Sequence, residues 1–189
     1  MKKIFLILFC SFFINITYSQ TSDTIFYETG KIKIIRTKIS DNEVYGRFFA
    51  ENGRTLIAEG KYVDKERDSL WSFYNYNGIL NSTETYDSGK KNGISHIYYP
   101  DGTIGETLEW QNDLKHGVWK QFFSNGITKT DANYIDGELN GEIKFFHPNS
   151  KLNIHGYYKN GARDSLWLYF DDQGNLLNEE KYENGFLLE

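Results

Sequence analysis

The chain has 189 residues, a formal net charge of −5 at pH 7 and 17% aromatic residues, with one Cys, one Met and two Pro. That acidic balance argues against nucleic acid or an anionic membrane as partner, because both reward clustered Lys and Arg. A lone cysteine excludes a disulfide framework, and the weight of Tyr and Phe favours strand over helix.

At the N-terminus Lys2 and Lys3 precede an apolar run, Ile4 to Ile14, broken only by Ser11. Thr17 and Ser19 then place small residues at a cleavage point after Ser19. This pattern reads as a secretory signal peptide over 1–19, too short to span a bilayer, and predicts an exported protein. Phe9 is too bulky to precede a lipidated cysteine, so Cys10 is expected to leave with the signal. The mature chain would then have no thiol and would depend on burial alone for its stability. Loss of Lys2 and Lys3 moves the formal charge from −5 to −7.

Residues 20–61 read as a degenerate N-terminal unit. Tyr27-Glu28-Thr29-Gly30 resembles a repeat start, and Lys31–Arg36 and Val44–Phe49 read as strands. The irregular spacing is that of a capping repeat, and lysines on an edge strand would guard against edge-to-edge pairing.

From Tyr62 onward the chain repeats with a step of 24 residues. Tyr62, Tyr86, Trp110, Tyr134, Tyr158 and Tyr182 form one ladder. Gly78, Gly102, Gly126, Ser150 and Gly174 form a second, and Tyr74, Tyr98, Phe122, Phe146 and Phe170 a third. A fixed period of this size marks stacked supersecondary units. The predicted fold is all-β: an elongated single-layer antiparallel sheet of serial β-hairpins. About five repeats and a truncated sixth occupy 62–189.

Residues 110–134 illustrate one unit. Trp110 to Gly117 reads as a polar connection, Val118–Phe123 as an aromatic strand, Asn125-Gly126 as a type I′ turn and Ile127–Tyr134 as the return strand. A two-residue loop would oppose Phe123 to Thr128, Gln121 to Thr130, Trp119 to Ala132 and Gly117 to Tyr134. Alternation then puts Trp119, Phe123 and Tyr134 on one face and Phe122 on the other. The same logic groups Trp71, Phe73, Leu80 and Tyr86 against Tyr74. Asn52-Gly53, Asn77-Gly78, Asp101-Gly102 and Gln173-Gly174 repeat the corner, and Asn149-Ser150 is expected to be weaker or of another type. Trp71, Tyr86, Gly93, Gly117, Trp119, Tyr134, Gly141, Tyr158 and Trp167 are read as structural repeat positions, with rings lying over glycines. Tyr74, Tyr98, Phe122, Phe146 and Phe170 form the candidate binding face.

Arg-Asp-Ser-Leu-Trp occurs twice, at Arg67–Trp71 and Arg163–Trp167, where other units carry a glycine. Asp and Ser suit local turn hydrogen bonds. The alternative is a sugar acceptor at Ser69 and Ser165, as Asp-Ser-Leu resembles an O-glycosylation site of some bacterial export systems. His96, His116, His147 and His155 form no metal-binding spacing, although His147 and His155 flank one turn. The serines lack a nearby histidine base and the carboxylates are scattered, so neither catalysis nor a cofactor is expected.

Tyr86-Asp87-Ser88-Gly89-Lys90-Lys91-Asn92-Gly93 and Tyr134-Ile135-Asp136-Gly137-Glu138-Leu139-Asn140-Gly141 resemble the variant MORN repeat (membrane occupation and recognition nexus). The resemblance runs from about Tyr62 to Gly185 and extends to the bacterial group labelled toxin–antitoxin system YwqK family antitoxin. It implies serial β-hairpins acting in protein association, with phospholipid binding sometimes proposed. The chain is also similar to choline- and glucan-binding hairpin repeats, which implies a glycan site built on pairs such as Tyr98-Tyr99 or Phe122-Phe123. The expected function is an exported scaffold for a protein partner. Glycan or cell-wall binding and an antitoxin-like role are the alternatives.

Overall fold

The computed structural model describes residues 21–188, so the segment 1–19 read as a signal peptide, with Cys10, together with Gln20 and Glu189, lies outside the described residues. Among the described residues every regular element is a strand. Seventeen follow one another: Ser22–Phe26, Ile32–Lys38, Glu43–Phe49, Leu56–Val63, Glu66–Tyr74, Leu80–Asp87, Lys90–Lys91, Gly93–Tyr98, Ile104–Gln111, Leu114–Phe122, Thr128–Ile135, Glu138–Leu139, Gly141–Phe146, Leu152–Lys159, Ala162–Phe170, Leu176–Glu183 and Phe186–Leu188. Each pairs antiparallel with the next long strand, giving one open sheet in hairpin order. The strands of 22–63 join this sheet without a break. The predicted architecture is therefore the one observed.

The turns are distributed differently from expectation. At Asn125-Gly126 only the glycine has positive φ (+81°), whereas a type I′ turn needs it at both central residues. Phe123 N–H donates to the Ile127 carbonyl and Gly126 N–H to the Phe123 carbonyl, both at 2.8 Å. This is a three-residue loop ending in a left-handed glycine, the arrangement that forms a bulge after an ordinary turn. The Asn125 carboxamide adds a bond by accepting from Ile127 N–H. The register consequently holds from Gly117↔Tyr134 to Gln121↔Thr130, then slips so that Phe122, not Phe123, faces Thr128. Likewise Leu80 faces Tyr74 rather than joining the Trp71 side.

The type I′ turns sit at the other corner. Ser88-Gly89, Asn112-Asp113, Asp136-Gly137, Asn160-Gly161 and Asn184-Gly185 have positive φ at both positions, as does Asp64-Lys65. The supposed polar connection from Trp110 to Gly117 is thus mostly strand, folded at Asn112-Asp113. Tyr27 to Gly30 is not a repeat start; it makes the same three-residue corner as 123–127. Nor do the lysines of 31–38 lie on an edge strand, because Ser22–Phe26 pairs outside them.

Asn149-Ser150 keeps the common corner. Ser150 adopts φ +67°, His147 N–H donates to the Lys151 carbonyl and Ser150 N–H to the His147 carbonyl, so hydrogen bonding holds the shape without glycine. A non-glycine residue there bears about 1–2 kcal/mol of left-handed strain, partly offset by the entropy glycine adds to the unfolded chain. Ser150→Gly is expected to stabilise the protein by about 0.5–1 kcal/mol, read from chemical denaturation.

Each unit also carries an internal bulge. Lys115 faces Trp110 and Trp119 faces Leu108, so the strand Leu114–Phe122 holds two extra residues around Gly117, whose φ is +75°. Gly93 and Gly141 have the same hand, and Ser69 and Ser165 take the position in the Arg-Asp-Ser-Leu-Trp copies, at φ +58° and +62°. These phrases therefore lie in strands, not turns. The expected local bonds form all the same: Ser69 Oγ donates to Asp68 and Ser165 Oγ to Asp164. Because the slip is two residues rather than one, it leaves the two faces of the sheet unexchanged.

The core is a row on one face. Across the strands, Gly60, Trp71, Glu84, Ser95, Leu108, Trp119, Ala132, Ile143, Gly156, Trp167 and Glu180 follow one another in register. Trp71 and Trp167 are fully buried, as is Ile143, and Ala132 and Leu108 are nearly so. The two buried indoles lie directly on Gly60 and Gly156. A sheet without a second layer buries its rings by laying them over the backbone of the neighbouring strand.

Candidate functional site

Beside the tryptophan row runs a second row of rings and cations. Arg67 faces Tyr62 across the ladder, Lys91 faces Tyr86, Lys115 faces Trp110, Leu139 faces Tyr134 and Arg163 faces Tyr158. Each cation then lies over the ring 19 residues further on. Arg67 stands 5.3 Å from the centre of Tyr86, Lys91 4.7 Å from Trp110, Lys115 5.0 Å from Tyr134 and Arg163 5.3 Å from Tyr182. Arg67 and Arg163 also cap the buried indoles at 4.7 and 4.3 Å. These contacts hold cations over ring faces and consume this side of the sheet in its own packing. Trp71, Tyr86, Trp119, Tyr134, Tyr158 and Trp167 all belong to it, and Gly93, Gly117 and Gly141 form its bulges.

Carboxylates close the row. Tyr86 donates to Glu84, and Tyr169 and Tyr182 both donate to Glu180. Burial first, and then these acceptors, push the Tyr86 and Tyr169 phenols up to about 12. On the other face burial and Glu59 do the same to Tyr74. A pKa raised in the folded state means stability that is intact below the ordinary value of 10.0 and lost as pH rises towards about 12. Melting temperature should fall across that window as tyrosinate absorbance grows, and Tyr86→Phe should make the fall shallower.

The opposite face is different in kind. Tyr74 Oη donates to Glu59 and Tyr98 Oη meets Thr83 Oγ1, both partners lying on the side away from Trp71. The row Tyr74, Tyr98, Phe122, Phe146, Phe170 is thus separate from the tryptophan row, as alternation predicted. Its rings are half-buried throughout. Phe122 is accordingly not an exposed counterpart to a core Trp119, for both are half-buried. The middle of this face is polar, with Lys120 and Asp131 3.2 Å apart and Glu142 held between Lys144 and His155 at 2.6 and 2.7 Å.

A third row on this face went unrecognised in the sequence. Leu70, Ile94 and Leu166 are 56%, 46% and 47% exposed, and Val118 occupies the matching place between them. They keep the 24-residue step and each follows directly on the left-handed Ser or Gly. Tyr157, 41% exposed, faces Glu142, which interrupts the row. The signal lies in the sequence itself, an apolar residue one place after the left-handed Ser69, Gly93, Gly117 and Ser165 on the 24-residue step.

The histidines do not assemble. His147 contacts the Phe170 carbonyl and His155 contacts Glu142, so the turn they flank does not bring them together. Among the described residues no three His, Cys, Asp or Glu side chains come together to hold a metal ion.

The family model described as MORN repeat variant matches residues 115–136 and 139–160. No curated protein matches the chain. Solved structures of TarM are similar over about half of it: one at 22% identity and TM-score 0.37 over 52% of this chain. Another, a variant of S. aureus TarM in complex with fondaparinux, alpha-GlcNAc-glycerol and UDP, stands at 18% identity and TM-score 0.37 over 51%. The matched part spans about a fifth of those chains, 20% and 21%. Two adjacent units of this sheet thus match the variant MORN repeat, and a bulged hairpin is the structure they adopt here.

Proposed function

We propose that the chain is an exported, non-enzymatic scaffold that binds an extended partner protein along the face opposite the tryptophan row. The observation that carries this reading is the apolar row Leu70, Ile94 and Leu166, exposed in register beside the half-buried Tyr74–Phe170 row. Two apolar rows flanking a polar stripe offer desolvation together with specific hydrogen bonding, the composition of a protein interface. The variant MORN units support a repeat scaffold. Export rests on Lys2, Lys3 and the apolar run that follows.

The test is a comparison of affinity capture from the exported fraction, using the native chain and a Leu70→Glu, Ile94→Glu, Leu166→Glu variant. These side chains lack core contacts, so the variant should keep its melting temperature within a few degrees and lose the partner. Equal recovery of the same partner by both chains would overturn the assignment of this face. Retention on peptidoglycan or polysaccharide would replace a protein partner with a glycan.

A further inference from the structure

The ring-and-cation row has one unfilled place. In the later units the residue whose side chain covers the next ring also accepts a backbone bond from the next turn. The carbonyls of Arg67, Lys91, Lys115, Leu139 and Arg163 accept from Gly89, Asp113, Gly137, Gly161 and Gly185. At the start of the array the corresponding carbonyl, that of Asn42, accepts instead from the first residue of the turn, Asp64 N–H, at 2.8 Å. Val44 faces Tyr62 as Ser69 faces Tyr86, which sets Asn42, two residues earlier, in the place of Arg67. Asn42 therefore holds the cation position ahead of Tyr62, but its side chain is too short to lie over that ring. Glu43 does not substitute for it, because its carboxylate turns to Lys61 at 3.3 Å on the other face.

The structure opens at this point. A cleft of about 840 Å³ lies over the first ladder ring. Phe48 and Tyr62 form its walls, with centroids 6.4 Å apart and planes inclined at 59°. Gly46 is the floor; a Cβ there would stand 3.0 Å from the Phe48 ring and 3.3 Å from Tyr62. The rim charges nearly balance. Arg36 is 3.8 Å from Asp23, Asp41 is 2.7 Å from Lys38, and Asp64 and Lys65 are neighbours in the turn. Ring faces, which attract cations, and the net negative charge of the chain decide the sign of the ligand.

We propose that this cleft receives a guanidinium or alkylammonium side chain from a partner protein, which completes the row in place of the missing residue. The later units are the template, since the chain's own Arg and Lys fill the equivalent places over Tyr86, Trp110, Tyr134 and Tyr182. The site lies on the tryptophan face and stands independently of the binding face described above.

The full chain should be titrated with acetyl-Gly-Arg-Gly-amide and with its neutral isostere carrying citrulline, followed by NMR. Saturable shifts are expected at the Tyr62 and Phe48 rings and the Gly46 amide, with the citrulline peptide binding at least about threefold more weakly. Asn42→Arg should fill the cleft internally, abolishing those shifts and raising the melting temperature. Equal binding of the two peptides, no response at Gly46 and Tyr62, stronger binding of inorganic phosphate there, or Arg-peptide shifts that persist in Asn42→Arg would each overturn the proposal.

Discussion

Trp71→Ala is expected to cost about 3–5 kcal/mol, the range for truncating a buried aromatic side chain, and to lower the melting temperature by on the order of 10 °C. Trp71 has no exposed surface and is the hub of its neighbourhood. Tyr62 lies 4.9 Å from it, Phe48 5.9 Å, Phe73 6.2 Å and Tyr86 6.5 Å. Arg67 covers it, and its Nε1–H donates to the Lys61 carbonyl at 2.9 Å. A sheet without a second layer has no other side chains to collapse into the hole. Trp167→Ala should cost less within the same range: its indole is as buried and is capped by Arg163, but its Nε1–H has no partner to lose. Trp119→Ala should cost least, since that ring is half-buried and its aromatic neighbour is Tyr134 at 5.6 Å. Chemical denaturation of the three variants checks the order. A Trp119 variant as unstable as Trp71→Ala would show that burial does not set it.

The damage should also be local. In an array whose units touch only their neighbours, stability is a sum of unit and interface contributions. Removing Trp71 loosens the strands from Glu43 to Asp87 first. Hydrogen exchange should quicken there while Leu152–Glu183 keeps its protection.

What the sequence made legible was whatever the 24-residue period carries. The ladder of Tyr62 to Tyr182, the separation of Trp119 from Phe122 and the register from Gly117 to Gln121 follow from period and alternation alone. The turns did not, because Asn-Gly is compatible with two loop geometries. In a two-residue loop both residues are left-handed; in a three-residue loop the glycine alone is. Local sequence cannot separate these when the strands on either side are equally apolar. The internal bulge was hidden for a related reason: Ser69 and Ser165 occupy a place that glycine fills elsewhere, and a hydroxyl bonded to the preceding Asp offsets part of the strain. The exposed row of Leu70, Ile94 and Leu166 follows that bulge. Its meaning depends on where the bulge turns the strand, which periodicity does not state.

Gly156→Ala is the sharper test of how such a sheet buries a ring. The backbone of Gly156 is not in the left-handed region, so alanine meets no conformational penalty there. In an ordinary strand this exchange would stabilise by about 0.5–1 kcal/mol. Here the added Cβ would stand 2.3 Å from Trp167 Cδ2 and 2.4 Å from Cε2. The indole has nowhere to retreat, with Tyr158 at 5.2 Å, Tyr182 at 6.2 Å and Arg163 over its face. The cost should therefore reach or exceed the upper end of the about 1–3 kcal/mol seen for overpacking. Gly60→Ala should behave alike against Trp71, where the same distance is 2.3 Å. Pairing Gly156→Ala with Trp167→Leu separates the clash from any intrinsic dislike of alanine in this strand. If the indole is the obstacle, the double variant will be more stable than the sum of the two single losses predicts, by a coupling of about 1–3 kcal/mol. Strict additivity would mean that glycine is needed there for a reason other than the ring above it, and the account of the core as indole laid on backbone would fail.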